Sequence, residues 1–322
     1  MNRNRVNKKR MGGARVLSRA AAGMLAAALC FQPMTALAGP AGDSSLTSSS
    51  SNAGPGGGSV SSNSGSTGSS GGSTSVSNGG VSAVTSGLGV YRVTENEGIG
   101  AIARGVDVSY WQQNVNWSQV ASDNVQFAML ATRFRGNVDP FFAMNAANAS
   151  QAGLRLGAYI YSYATSVEMA QQEADFVLNL IKDYPISFPV VFDAEDANTL
   201  GTLTQSQVSD VINAFCKRIQ DAGYYPMVYA NEYWIANKID MSKISYDIWV
   251  AKYQQKYTYS KTSMWQASNT GSVKGVNGNV DIDYLYKDYT QIIPGNTWRT
   301  IAGNRYYYQN HVMQKAAWIN DG

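Results

Sequence analysis

The chain has 322 residues, 44% hydrophobic and 11% aromatic, enough for one sizeable core with accessory segments. The formal net charge of +3 hides an asymmetry. Residues 1–38 hold seven of the 25 basic residues and no acid, so the rest carries 18 basic against 22 acidic residues, a net of −4. A mildly acidic chain without a basic stripe excludes nucleic acid as an expected partner.

In chain order, residues 1–38 read as a secretory signal peptide. A basic stretch (Arg3, Arg5, Lys8, Lys9, Arg10, Arg15, Arg19) precedes an apolar run over 20–31 and then Ala36-Leu37-Ala38, an A-x-A cleavage pattern. The apolar run is too short for a membrane span. Cys30 follows Leu29, where a lipoprotein signal needs a small residue. Cleavage leaves Cys216 alone, so no intramolecular disulfide is expected. A secreted protein, extracellular or cell-wall associated, follows. Residues 39–99 are expected to be a Ser/Gly-rich disordered linker. The stretch 39–83 is almost wholly Ser, Gly, Asn and Thr and lacks the apolar surface to offset ordering entropy.

From about residue 100 strands and helices alternate. Strands are predicted over 105–110, 127–134, 156–163, 189–192, 226–230, 247–252, 263–267 and 280–285. Asp139-Pro140 reads as an N-cap with proline at the first helical position, and Gly153 as the residue ending that helix. A second helix is predicted over 168–181. A third starts at the capping box Thr204-x-x-Gln207, carries Val208, Val211, Ile212, Phe215 and Ile219 on one stripe, and ends at Gly223. Cys216 borders that stripe and reads as an inert core thiol. The later segments between strands are too short for full helices. Alternating β and α units imply an α/β fold: an irregular (βα) barrel of about eight mostly parallel strands. Sites in such barrels lie at the C-terminal ends of the strands.

The stretch Pro189-Val190-Val191-Phe192-Asp193-Ala194-Glu195-Asp196 is an apolar run that ends in acids. Side chains alternate along a strand, so Asp193 and Glu195 face one way, their Cα atoms roughly 6.5 Å apart. Carboxylates held that close resist joint ionisation, which makes one of them a usable general acid near neutral pH. Asp107 lies in the first strand, and Asp281 and Asp283 in the last, with period two. First and last strands are neighbours in a closed barrel, so Asp107 and Asp281 are expected at one mouth with Asp193 and Glu195 across it. Tyr110, Tyr161, Tyr163, Tyr229, Trp249 and Trp265 lie on or beside the same strands, and Gln266 and Asp283 complete the candidate substrate-binding set. Converging acids and rings suggest a carbohydrate cleft. The sole histidine, His311, lies in the tail, which removes Ser-His-Asp and Cys-His chemistry. No metal site and no cofactor is expected.

Seven ordered segments, GVDVSYWQ (105–112), AGLRLGAYIYSYA (152–164), FPVVFDAED (188–196), AGYYPMVYAN (222–231), YDIWVAKY (246–253), MWQAS (264–268) and GNVDIDY (278–284), resemble glycoside hydrolase family 25, the lysozymes or muramidases. The resemblance implies a barrel over 100–289 that cleaves the β-1,4 bond between N-acetylmuramic acid and N-acetylglucosamine in peptidoglycan. It also implies Glu195 as general acid, Asp193 as partner carboxylate, and Asp107 and Asp281 as supporting acids. Two departures stand out: Ala267 where members often have Tyr, and Asp283 where many have Asn. The first is expected to cost a sugar contact and the second to raise neighbouring pKa values.

The tail, 290–322, contains Trp298, Gly303, Tyr306, Tyr307, Tyr308, Met313 and Trp318. This order resembles one degenerate copy of the choline-binding-type wall-binding repeat, expected as a hairpin packed on the barrel or on a neighbouring chain, with direct binding to a cell-wall polymer or choline as the alternative. Two other functions stay open at this point. One is a non-catalytic wall-binding protein that keeps the barrel as a docking surface. The other is a hydrolase of chitin-like oligomers.

Overall fold

A computed structural model describes residues 74–78, 81–93, 100–253, 257–316 and 318–319. The expected signal peptide, and the expected linker as far as residue 73, lie outside them. Eight strands close into a barrel: Ala103–Val108, Phe127–Ala131, Arg155–Tyr161, Ile186–Asp193, Pro226–Asn231, Asp247–Ala251, Thr262–Gly271 and Val280–Leu285. Each pairs with the next in chain order, and the eighth closes on the first. The first seven run parallel. The eighth is antiparallel to both of its neighbours. A parallel return needs a long crossover, and between the last two strands there are only eight residues, 272–279. The chain therefore turns back, and the start of the last strand lies at the mouth where the other strands end.

Alternation along the strands builds two cores. Phe127, Met129, Phe188, Val191, Met227, Trp249, Met264 and Leu285 fill the barrel interior. Val190, Phe192, Val228 and Val250 point outward against the helices. The principal helices are Phe142–Gln151, Val167–Ile181 and Gln205–Asp221. Gln205–Asp221 starts at the expected capping box, with Gln207 N–H donating to Thr204 Oγ1 at 3.3 Å. It buries Val208, Val211, Ile212, Phe215 and Ile219, and Phe215 meets Phe192 edge-on at 5.2 Å. Cys216 is fully buried among them, and burial pushes its thiol far above the usual range. Gly153 and Gly223 both adopt positive φ just beyond a helix end, as a glycine at that position does. The first principal helix differs from expectation. It starts at Phe142 rather than at Pro140, because Asp139 is drawn into a turn and accepts the N–H groups of Phe141 (2.9 Å) and Tyr110 (2.6 Å).

Two small sheets flank the barrel. The expectation of structureless chain up to 99 does not hold for 74–78 and 81–93, which form a three-stranded antiparallel sheet. Tyr91, in its last strand, is fully buried. Asn124 clamps this sheet to the barrel by accepting from the Arg92 N–H (2.9 Å) and donating to its carbonyl (2.8 Å). The tail forms strands Thr297–Ile301, Asn304–Gln309 and Val312–Met313. It packs on the barrel's outer layer through Arg299, which lies 3.8 Å from the Tyr224 ring and 4.3 Å from the Tyr308 ring. The Tyr308 hydroxyl donates to the Lys182 carbonyl at 2.8 Å.

The Phe192–Phe215 contact locks helix to barrel. Phe215→Ala is expected to cost about 3–5 kcal/mol of unfolding free energy, and Thr204→Ala about 1 kcal/mol, both read from urea unfolding midpoints.

Candidate active site

The fourth strand ends in Asp193, which is held in register between Tyr161 and Tyr229 on the two neighbouring strands. The Ala194 N–H donates to the Tyr229 carbonyl at 2.9 Å and keeps the chain extended for two more residues. Ala194 is buried in the outer core, so Asp193 and Glu195 turn inward together. Across the mouth, Asp281 pairs directly with Asp107. All four acids line one open cavity of about 420 Å³. Asp281 reaches it only because its strand is reversed.

Gln266 organises the floor. Its Nε2 donates to Asp107 Oδ2 at 2.7 Å, and its Oε1 accepts from the Tyr229 and Tyr253 hydroxyls at 2.8 and 3.0 Å. Trp249 Nε1 donates to Asp283 Oδ1 at 2.9 Å. Asp196 faces the following turn, accepting from Tyr161, Asn198 and Thr199.

Burial raises the pKa of all four lining acids, and repulsion between carboxyls adds to it for Asp107, Asp193 and Glu195. Glu195 is pushed up to about 7, first by burial and then by Asp281 and Asp196. Asp281 is pushed up to about 6 by burial. Asp107 and Asp193 lie well above the ordinary carboxylate value. Burial dominates in both. Asp281 and Asp283 add to it for Asp107, and Glu195 and Asp196 for Asp193. One oxygen of Asp193 is buried without a hydrogen-bond partner. Such a site can hold a proton on one carboxyl at neutral pH and present an anionic neighbour beside it.

Of the expected substrate-binding residues, Tyr161, Tyr163, Tyr229, Trp249 and Gln266 line the cavity. Three do not. Tyr110 stacks on Phe134 at 4.0 Å, behind the rim. Trp265 faces outward, because Gln266 beside it faces in, and its Nε1 donates to the Lys252 carbonyl at 2.9 Å. Asp283 is wholly buried beneath the floor, where its charge raises the Asp107 pKa as expected. Ala267 packs against the outer core, not the cavity.

Four lining residues outside the expected set come from the end of the second strand and beyond it. Ala131 ends that strand. Arg133, Phe134 and Arg135 form a short hairpin turned by Arg135-Gly136, both at positive φ. The Arg133 guanidinium donates to Glu173 at 2.6 Å and to the Tyr161 carbonyl, and lies 4.7 Å from the Tyr163 ring. Trp111, two-thirds exposed, stands edge-on to Phe134 at 5.7 Å. The position of this hairpin after a parallel strand was the available signal. Tyr159, one turn of the pleat below Tyr161, carried the same signal. Among the described residues no group of His, Cys, Asp and Glu has the arrangement of a metal site, and no helix is long and apolar enough to cross a membrane.

A closed barrel with a carboxyl cluster and aromatic walls at its mouth defines a glycosidase. Residues 106–276, more than half of the chain, match the model of glycosyl hydrolases family 25, and the chain belongs to that family. It is 31% identical over 189 residues to the uncharacterized protein YegX of Escherichia coli strain K12, spanning 56% of this chain and 68% of that one. Lysozyme M1 of Streptomyces globisporus is 30% identical over 195 residues, 55% of this chain and 66% of the lysozyme. Among solved structures, the CTP1L endolysin aligns with a TM-score of 0.52 at 25% identity, over 61% of this chain and 70% of the endolysin.

The raised Glu195 pKa has a stability consequence. A carboxyl whose folded pKa exceeds its unfolded value stabilises fully below the unfolded pKa, and that contribution is lost as pH rises through the folded pKa. Glu195→Gln is therefore expected to be more stable than wild type at pH 7.5, by on the order of 1–3 kcal/mol. The difference should vanish towards pH 4, as read from urea unfolding across that range.

Proposed function

We propose that this chain is a secreted muramidase that hydrolyses the β-1,4 bond between N-acetylmuramic acid and N-acetylglucosamine in peptidoglycan, with Glu195 as the general acid. The observation that carries this reading is the Glu195 carboxyl, set in a cavity shared with three acids from three strands, where burial first pushes its pKa up to about 7. Family membership and the likeness to lysozymes support the choice of substrate.

Glu195 donates its proton to the glycosidic oxygen as the bond breaks. Asp193 lies beside it, and its unpartnered oxygen is free to receive the N–H of the substrate's 2-acetamido group or a water. An acetamido group so oriented can attack its own anomeric carbon, an established alternative to a protein nucleophile. A directed water gives the inverting route instead. Asp281 and Asp196 raise the Glu195 pKa beyond what burial does, which helps hold its proton, and negative charge there favours the positive charge that builds on the sugar. Rings at the rim, Trp111 and Phe134 above all, suit the apolar faces of sugars.

We assign 1–38 to an export signal, 100–289 to the catalytic barrel and 290–322 to the tail. In the tail, Trp298 and Tyr307 contact each other at 5.2 Å and are partly buried, with the Arg305 guanidinium 4.4 Å from the Trp298 ring. These rings are the surface through which the tail would touch a wall polymer.

Three measurements test this reading. Glu195→Gln is expected to lower kcat on purified peptidoglycan by about 10²–10⁴ with KM nearly unchanged; equal release of reducing ends by both proteins would leave only a docking role. In wild type, kcat is expected to fall as pH rises past about 7, because Glu195 then loses its proton. Mass spectrometry of the digest is expected to find muramic acid at the reducing ends, with chitooligosaccharides cleaved far more slowly.

A further inference from the structure

A second cavity, also about 420 Å³, lies at the end of the barrel away from the acids, where the parallel strands begin. Three segments distant in the chain build it. They are the turn at Gly87 and Leu88 in the N-terminal sheet, the starts of the third and fourth barrel strands with Arg155 and Ser187, and the tail turn at Asn310 and His311. No carboxylate lines it. Asp183 and Asp288 belong to adjoining segments, but each is engaged, Asp183 by Lys315 and Asp288 by Gly87 and Thr290.

Two of the side-chain donors around this cavity lack acceptors. Among the described residues the Arg155 guanidinium takes part in no hydrogen bond, ion pair or ring contact. His311 Nδ1 is buried with no hydrogen-bond partner. Behind it, all three guanidinium nitrogens of Arg299 are buried without a hydrogen-bond partner, facing only tyrosine rings. Burial, Arg155 and Arg299 together push the His311 pKa down to about 4, so its imidazole is neutral and one ring nitrogen carries a proton. Buried donors left unsatisfied are costly, and clustered cationic N–H groups gain most from an oxyanion.

We propose that this cavity binds a phosphate group, held by Arg155 and His311, with Asn310, Ser150 and Ser187 as further donors. It is far larger than one oxyanion, so it also accommodates whatever the phosphate esterifies. Free inorganic phosphate and a phosphodiester of an anionic polymer present the same oxygens to it. The site would tie the N-terminal sheet, the barrel and the tail together around one ligand. It shares no residue with the acid cluster, so binding is separable from hydrolysis.

Calorimetric titration of the full-length chain with inorganic phosphate, at ionic strength held constant with chloride, is expected to give saturable binding at one site. Arg155→Gln is expected to weaken it about tenfold or more, and His311→Gln to weaken it as well, with peptidoglycan cleavage unchanged in both. Arg155→Lys keeps the charge but loses the planar donor fork, so its affinity should fall between wild type and Arg155→Gln. It carries the test if Arg155→Gln does not fold. Phosphate heats no larger than chloride heats, or an Arg155 variant that folds and binds as tightly as wild type, overturn the assignment. Co-sedimentation with poly(glycerol phosphate) separates the sources. Polymer binding lost in the Arg155 variant supports a wall-polymer ligand, and phosphate binding without polymer binding supports the free ion.

Discussion

Like charges crowded into a partly dry space are the constraint on which this structure turns. Asp107, Asp193, Glu195, Asp281 and the buried Asp283 gather at one end of the barrel, and among the described residues none of them forms an ion pair with an arginine or lysine. Full ionisation of such a group is prohibitive. Two devices relieve it. Some carboxyls keep their protons, which is what the raised pKa values express. Neutral donors offset part of the rise, Gln266 at Asp107 and Trp249 at Asp283, without adding a countercharge. The result is a proton stored where the field is negative, as a site that cleaves an acetal with carboxyl groups alone requires.

The scaffold around this cluster is correspondingly rigid. Asp107 and Asp281 are set by backbone register, and Asp193 by strands on both sides. The aromatic wall is fixed by Glu173, which reaches in from the helix Val167–Ile181. It binds Arg133 at 2.6 Å, the Ser162 hydroxyl at 2.6 Å and the Tyr163 N–H at 3.0 Å. A buried ion pair adds little to net stability. Here it joins the loops after the second and third strands, tying Tyr161, Tyr163 and the Arg133–Phe134 hairpin together.

The two ends of the barrel differ in charge. The mouth concentrates acids, and the opposite end, closed by the N-terminal sheet and the tail, concentrates guanidinium groups with no acid partner. The tail is held as much by this cationic side as by apolar packing. Arg299 lies between two tyrosine rings, and the hydroxyls of those rings, 3.1 Å apart, lead on to the Lys182 carbonyl. The tail thus spends Tyr308 on holding the hairpin in place.

Local rules determined much of this protein from its sequence. Period-two alternation placed Asp193 and Glu195 together and Ala194 opposite. The capping box at Thr204 and the glycines at 153 and 223 set helix ends, because those signals act within one turn of chain. Ordered βα units implied the barrel, and the barrel implied a common mouth. Tertiary structure decided the rest. The reversal of the last strand follows from a connection too short for a crossover, and it brings Asp281 rather than Asp283 to the surface of the cavity. Trp265 turned away because Gln266 took the inward position, a choice of parity that a bulged strand leaves open in sequence. Arg133, Phe134 and Tyr159 joined the site, and Arg155 and His311 came together, through contacts between segments remote in the chain. No periodicity records such contacts, because they depend on how the barrel closes.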